Sequence, residues 1–326
     1  MINRTTSSTK TSTMSNGDGL RLLAPAKINL ALEILRRRPD GFHEIATVMT
    51  TLDLADRVSL WPRAEGAGLE VVLTGAYAAG IDPADDLAGR AATRMAEVLG
   101  RSPNVRIEVE KRIPSPGGLG GGSSDAAAVL RGLTRLWGVD WQPGRLEALA
   151  TKIGSDVPFF LHGGTAFCSG RGEVVEPLKD LRPMRMLLLI PPVPQRASKT
   201  AFRYASVHPH DFSDGHRTHR LAQRIARNAP PPTADLINTF EAVVERSEPE
   251  LIAHYAKYHA AGAPRLHLCG SGPAVFMLVL EGAKLQELRR AFRTQGANVI
   301  EAHTLPRAAA LAVEVLPAGG PTGGKA

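Results

Sequence analysis

Two cysteines, Cys168 and Cys269, are all that the 326 residues carry. Structural zinc sites need thiolates and imidazoles at short, fixed spacings, and none occurs, so zinc-ribbon chemistry is excluded. Two thiols so far apart also exclude a small disulfide-stapled scaffold, and a reduced, cytoplasmic setting is the expectation. Both sit among apolar neighbours and read as buried and inert. Long apolar runs are absent as well: no stretch approaches the ~18 residues that a membrane-spanning helix requires. Residues 1–19, MINRTTSSTKTSTMSNGDG, are rich in Ser and Thr and lack the apolar centre of a secretory signal. They read as a disordered tail, and residues 317–326, PAGGPTGGKA, as a flexible one. Aromatic residues make up only 5% of the chain, so basic residues are not interleaved with rings as on a nucleic-acid platform. The formal charge of +7 then fits a polyanionic small substrate or a solvated basic surface, and neither nucleic acid nor membrane is an expected partner. The sequence specifies no oligomeric state.

Between the tails the pattern is mixed. In AKINLALEIL, Ile28, Leu30, Leu32 and Ile34 alternate with Lys27, Asn29, Ala31 and Glu33. That is a strand with one apolar and one mostly polar face. RRRPDGFHE reads as a turn, with Arg36–Arg38 solvated, and VRIEVEK as a second strand. Ala126, Val129, Leu130, Leu133 and Leu136 fall at helical spacing, with Ser123 or Ser124 the natural N-cap. A further helix covers about 144–153 and stops at Gly154. The texture changes near Leu181, where MRMLLLIPP opens a second unit as a buried strand. DLINTFEAVV, PELIAHYAKYHAAG and KLQELRRAFRTQG are helical in pattern, and RLHLCGSGPAVFMLVL is two strands around a Gly-Ser-Gly turn. The stretch from Arg203 to Pro232 carries His208, His210, His216 and His219 and reads as a long solvated loop rather than a metal site. The expected class is α+β, with one domain over 20–180 and another over 181–316.

The densest signal is PSPGGLGGGSSDAAA, in which Gly117, Gly118, Gly120, Gly121 and Gly122 surround Leu119. Glycines bare the backbone amides, successive amides form an anion-binding concavity, and the following helix aims its positive end at the same spot. Phosphate fits this geometry. A Walker loop is excluded because Ser123, not lysine, follows Gly122, and only half of a dinucleotide fingerprint is present. Phosphoryl transfer from such a loop needs a cation and a base. Lys27, with Asn29 beside it, and Asp156 in KIGSDVPFFLHGG are the candidates, although a solvated strand lysine and a helix N-cap explain the same positions.

PAKINLALEI, PSPGGLGGGSSDAAA and LCGSGPAVF, in that order, resemble the three motifs of the GHMP kinases, which phosphorylate small alcohols with ATP. RPDGFHE and IGSDVPFFLHGGTAF narrow the resemblance to the branch acting on a cytidine diphosphate-linked methylerythritol. The resemblance implies a two-domain fold, with a ribosomal-protein-like first domain, a ferredoxin-like second domain and the active site between them. It implies Lys27 and Asp156 as the catalytic pair. Lys111, Pro114, Ser115, Pro116 and the segment Gly117–Ser124 would hold ATP. Mg²⁺ would bridge its phosphates, with Ser123 and Ser124 both open as ligands. Asn29, Phe42, His43, Ser198 and Phe202 would hold the substrate. His43 would read the cytosine, while the rings of Phe42 and Phe202 sandwich it. Phe42 lacks the hydroxyl of the tyrosine usual there, and Pro116 removes one amide from the loop. A smaller acceptor, of mevalonate or homoserine type, and a glycine-rich nucleic-acid-binding module are the competing readings.

Overall fold

The alternation that starts near Leu20 runs further than an ordinary strand. In the computed structural model, which describes residues 15, 17–83, 86–115, 117–194, 199–279, 282 and 284–318, β1 spans Gly19–Arg37 and turns back into β2, His43–Pro62. β3 (Leu69–Thr74), α1 (Leu87–Leu99), β4 (Val105–Glu110) and α2 (Gly121–Leu136) follow. Then come α3 (Arg145–Ile153), α4 (Val157–His162), β5 (Thr165–Ser169) and β6 (Val174–Pro177). The main path of the first sheet is β12-β1-β2-β4-β3, with β12 (Val313–Leu316) arriving from the far end of the chain. β5 pairs with the first half of β2 and with β6. Leu20, Leu22 and Ala24 of β1, Ile107 and Val109 of β4, and Ala126–Leu130 of α2 close one core between this sheet and its helices.

The remaining elements build a second layer. They are β7 (Arg185–Ile190), α5 (Lys199–Ala205), α6 (His216–Ala226), β8 (Ile237–Asn238), α7 (Thr239–Ser247) and α8 (Pro249–Ala260). β9 (His267–Leu268), β10 (Val275–Leu278), α9 (Leu285–Thr294), β11 (Asn298–His303) and α10 (Arg307–Ala310) complete it. Four strands pair antiparallel in the order β11-β7-β10-β9. Two short strands from beyond residue 181, β8 and β12, return to flank β1. A second core joins Ile28 and Leu30 of β1 to Met186, Leu188 and Phe276 of the second sheet. β1 is therefore covered on both sides. Lys27, for which a solvated strand position was one reading, and its polar-face neighbours Asn29 and Glu33 are all buried at 3–4% exposure. No described helix is long and apolar enough to cross a membrane.

Two other expectations need correction. The stretch 203–232 holds α6, whose Thr218, Leu221, Ala222 and Ile225 form a buried stripe at i, i+3, i+4 and i+7. Glu33 accepts hydrogen bonds from the Thr218 amide and hydroxyl, both 2.7 Å, and so satisfies a helix-start donor from across the sheet. The surrounding histidines and arginines are the solvent side of that helix, and no group of His, Cys, Asp or Glu suited to a metal occurs among the described residues. The N-cap of α2 is not a serine but Gly120, in the left-handed region at φ 77°. The helix thus starts three or four residues earlier, inside the glycine run. Pro116 and Ser198 lie outside the described residues, as do residues 1–14, 16 and 319–326 of the expected tails.

Candidate active site

The strand β1 is irregular where it matters. Its register against β2 shifts between Pro25 and Lys27 and again between Asn29 and Ala31. Such bulges re-aim side chains, and these two bracket Lys27 and Asn29, which share one face at i and i+2. The Lys27 amide donates to the Leu119 carbonyl at 2.8 Å, docking the glycine loop on the strand. The turn Cys269–Gly272 closes in from the second sheet. Gly118, at φ 81°, approaches it so closely that a β-carbon there would lie 2.0 Å from the Cys269 carbonyl oxygen. A β-carbon on Gly120 would strike Phe160 at 2.8 Å and the Lys27 stem at 3.0 Å. The three glycine- and lysine-bearing segments thus converge on one point.

At that point Lys27 Nζ donates to Asn29 Oδ1 at 2.8 Å and stands 3.5 Å from Asp156 Oδ2. Asn29 Nδ2 donates to Thr47 Oγ1 at 2.8 Å, and that hydroxyl donates to the Ala31 carbonyl at 2.7 Å. The chain of bonds fixes the Asn29 oxygen toward the ammonium. Asp156 occupies the N-cap position of α4, yet its carboxylate caps no helix amide. The capping explanation therefore fails and the ion pair replaces it. The side chains of Lys27 and Asp156 are 5% and 34% exposed.

The pair lies in a cleft of about 920 Å³ that Gly118, Gly120, Ser123, Ser155 and Ser271 also line. The Ser124 hydroxyl is buried and has no hydrogen-bond partner. The backbone donors of Gly121, Gly122 and Ser123 have no partner among the described residues, since the first intrahelical bond of α2 runs from Ser124 N to Gly120 O at 2.9 Å. A pocket of bare donors at the start of a 16-residue helix suits an anion. Leu119 is buried beneath the loop, with Gly117 and Pro114 also buried and Ser115 exposed.

Lys111 does not reach the cleft. It is 2% exposed and its ammonium is held by Asp56 and Asp125. Burial pulls its pKa down, but the two carboxylates outweigh that and raise it above the ordinary value. Asp56 also accepts from the amides of Arg112 and Ile113, the latter at 2.7 Å. The cluster therefore anchors the segment leading into the glycine loop and supplies no ligand-facing cation. The thiol pKa values of Cys168 and Cys269 are both raised by burial, that of Cys269 to about 12, as expected of inert cysteines.

The other end of the cleft is aromatic. His43 stacks on Tyr204 with ring centroids 5.2 Å apart and faces Phe212 at 6.2 Å. Tyr204 is braced edge-on by Phe240 at 4.9 Å. Burial, aided by the charge of Arg37, lowers the His43 pKa and keeps the imidazole neutral at pH 7. Phe42 lines the cleft, 51% exposed, but Phe202 does not: it stands on the outer side of α5 at 37% exposure. Tyr204, two residues on, takes the inward position. In a chain with so few rings, Tyr204 and Phe212 were the signal available, but choosing among ring positions required the helical phase of α5.

A profile described as GHMP kinases N terminal domain matches residues 86–164. The chain is 39% identical over 260 residues to a 4-diphosphocytidyl-2-C-methyl-D-erythritol kinase of Dehalococcoides mccartyi, covering 80% of this chain and 89% of that one. The chain belongs to the GHMP kinases. Within them a crystal structure of a 4-(cytidine 5'-diphospho)-2C-methyl-D-erythritol kinase superposes with TM-score 0.67 at 36% identity, covering 87% of this chain and 99% of that one. A homoserine kinase of Cytophaga hutchinsonii superposes with TM-score 0.68 at 16% identity over 94% of this chain and 99% of its own, a likeness of fold. This GHMP kinase is thus an ATP-dependent small-molecule kinase of mixed α and β structure.

Proposed function

We propose that the chain transfers the γ-phosphoryl group of ATP to the 2-hydroxyl of 4-diphosphocytidyl-2-C-methyl-D-erythritol. The observation that carries this reading is one cleft with a Lys27–Asp156 pair beside bare loop amides at one end and a neutral imidazole among rings at the other. Kinases 36–39% identical over most of the chain bear that substrate in their names. A mevalonate- or homoserine-sized acceptor would leave the aromatic end without a purpose, and a nucleic-acid module would leave the buried ion pair without one.

In the mechanism we infer, amides of the glycine loop and the start of α2 take the triphosphate oxygens. Asp156 accepts the proton of the 2-hydroxyl as that oxygen bonds to the γ-phosphorus, and the bond to the β–γ bridging oxygen breaks to release ADP. Lys27 offsets the negative charge that gathers there. Asn29 steers the ammonium, and neutral His43 offers cytosine one donor and one acceptor. Tyr204 and Phe42 offer it stacking faces. Mg²⁺ would neutralise phosphate charge when bound. Ser123 lines the cleft and the buried Ser124 hydroxyl has no partner among the described residues, so either hydroxyl would serve as a protein ligand to the ion. The two-domain division, with the ferredoxin-like part beginning near β7, belongs to the same proposal.

Phosphorus NMR with ATP and the cytidylyl alcohol tests it. A new phosphomonoester on the 2-oxygen is the expected product. ATP consumed with homoserine or mevalonate, but not with this alcohol, would overturn the assignment.

A further inference from the structure

The proposed substrate carries a diphosphate between base and polyol, so two negative charges must cross the middle of the cleft. One turn spans that distance. It joins β5 to β6 and is closed by Gly172 N donating to Ser169 O at 3.0 Å. At one side, Gly170 O accepts from the amide of Ile45, two residues past His43, at 2.8 Å. At the other, a β-carbon on Gly172 would lie 3.8 Å from Asp156 Oδ1. The turn is thereby tied to the His43 end and passes close to Asp156 at the other, and Arg171 stands at its tip.

The guanidinium carbon of Arg171 stands over the Phe42 ring, 4.3 Å from its centroid, and the side chain lines the cleft. A cation–π contact uses the charge of a guanidinium and none of its N–H donors as hydrogen bonds. None of those donors makes a hydrogen bond to a described residue. The nearest carboxylate, Glu173, stands 3.9 Å from Nε, too far for a hydrogen bond, and accepts from the Arg171 backbone amide instead. Asp40, the other carboxylate in its field, is held by Arg38. The side chain is 26% exposed, so its charge is partly shielded from water. A planar fork held over a ring, with a carboxylate at 3.9 Å but no hydrogen-bonded anion among the described residues, matches phosphate oxygens two at a time.

Resting on the function proposed above, we propose that Arg171 holds the diphosphate linker of the substrate and makes the cleft select nucleoside-diphosphate-linked alcohols over uncharged ones.

The test uses the full chain saturated with a non-hydrolysable ATP analogue, so that the nucleotide loop is filled. CDP and cytidine are then titrated separately by calorimetry. The unaltered enzyme is expected to bind CDP about tenfold or more tighter than cytidine, since charge-assisted bonds are the strong ones. Arg171→Met keeps the stem and removes the charge. It is expected to lose about tenfold or more in CDP affinity while cytidine stays within about twofold. In turnover, KM for the alcohol should rise with kcat and KM for ATP nearly unchanged, and Arg171→Lys should recover part of the loss. CDP affinity unchanged in Arg171→Met would overturn the proposal. Equal losses for CDP and cytidine would overturn it too, because Arg171 would then only be shaping the base end through Phe42. Failure of the unaltered enzyme to bind either ligand would instead bring down the cytidylyl reading of the cleft, and this proposal with it.

Discussion

The substitution Asp156→Asn separates chemistry from architecture. The Asp156 carboxylate stands 3.5 Å from the Lys27 ammonium, and two unit charges at that distance interact by about 5 kcal/mol at an effective dielectric of about 20. Solvent reaches 34% of the Asp156 side chain, so screening brings the stability contribution toward the surface-pair range of about 1 kcal/mol. In a chain of this size that is a shift of about 2–4 °C in Tm, or less. The helix start of α4 loses nothing, since Asp156 caps no amide. In the proposed mechanism the reaction loses its proton acceptor, and positioned bases contribute about 10²–10⁴-fold in rate. A carboxamide keeps the shape of the carboxylate but cannot take the proton. Turnover followed by ADP release should therefore fall by about 10²-fold or more, while the Kd of an ATP analogue and the Tm barely move. Turnover within about threefold of the unaltered enzyme would remove Asp156 from the role of base. A collapse of Tm would show that the pair is chiefly structural.

Three further outcomes are expected. Gly118→Ala should lower Tm sharply, because its β-carbon would lie 2.0 Å from the Cys269 carbonyl, whereas a β-carbon on Gly121 meets nothing closer than 3.4 Å. Gly121→Ala should therefore fold normally and report, through weakened binding of an ATP analogue, any crowding of the phosphates. Tyr204→Ala should weaken CDP binding by about tenfold, the scale of one lost stacking face, while Phe202→Ala leaves it within about twofold. Desolvation raises the Glu241 pKa to about 7, so the folded state keeps a proton that the unfolded state releases above its ordinary 4.5, although 36% of the side chain is exposed and screening reduces the effect on stability. Stability contributed by this group is complete below that value and is lost as pH rises toward 7. Glu241→Gln should therefore raise Tm at pH 8 and leave it nearly unchanged at pH 5, where a rise of equal size would contradict the linkage.

What was legible in the sequence is what local chemistry dictates. The glycine run, the strand that carries Lys27, the helix that follows and the stop at Gly154 are contiguous features, and each is present, with β1 longer and α2 starting earlier than expected. The errors arose where a residue's surroundings come from far along the chain. Lys27, Asn29 and Glu33 look like a wet strand face until the second sheet and α6 cover them, and nothing within ten residues announces that cover. α6 itself hid behind its histidines and arginines, although Thr218, Leu221, Ala222 and Ile225 carried the helical period. Lys111 sits beside the glycine loop in sequence, but Asp56 and Asp125 claim its charge, and Asp56 is far upstream. Phe202 and Tyr204 differ only by the phase of a seven-residue helix, which sequence spacing left undetermined.

In the mechanism proposed above, the contrast in exposure within the central pair explains why one partner suits the base and the other the electrostatic role. Lys27 is sealed in at 5% exposure, tied through its backbone to Leu119 and through its ammonium to Asn29. A buried charge with fixed partners cannot reorient, and that immobility is what stabilises a developing negative charge without reorganisation. Asp156, on the rim of a helix and about a third exposed, retains contact with water. A base must release its proton before the next cycle, and only the wetter member of the pair has a route to do so. Exchanging the two positions would leave a sealed carboxylate with no outlet and a loosely held ammonium beside the phosphates. On this proposal, the burial of the polar face of β1 is what separates the two roles.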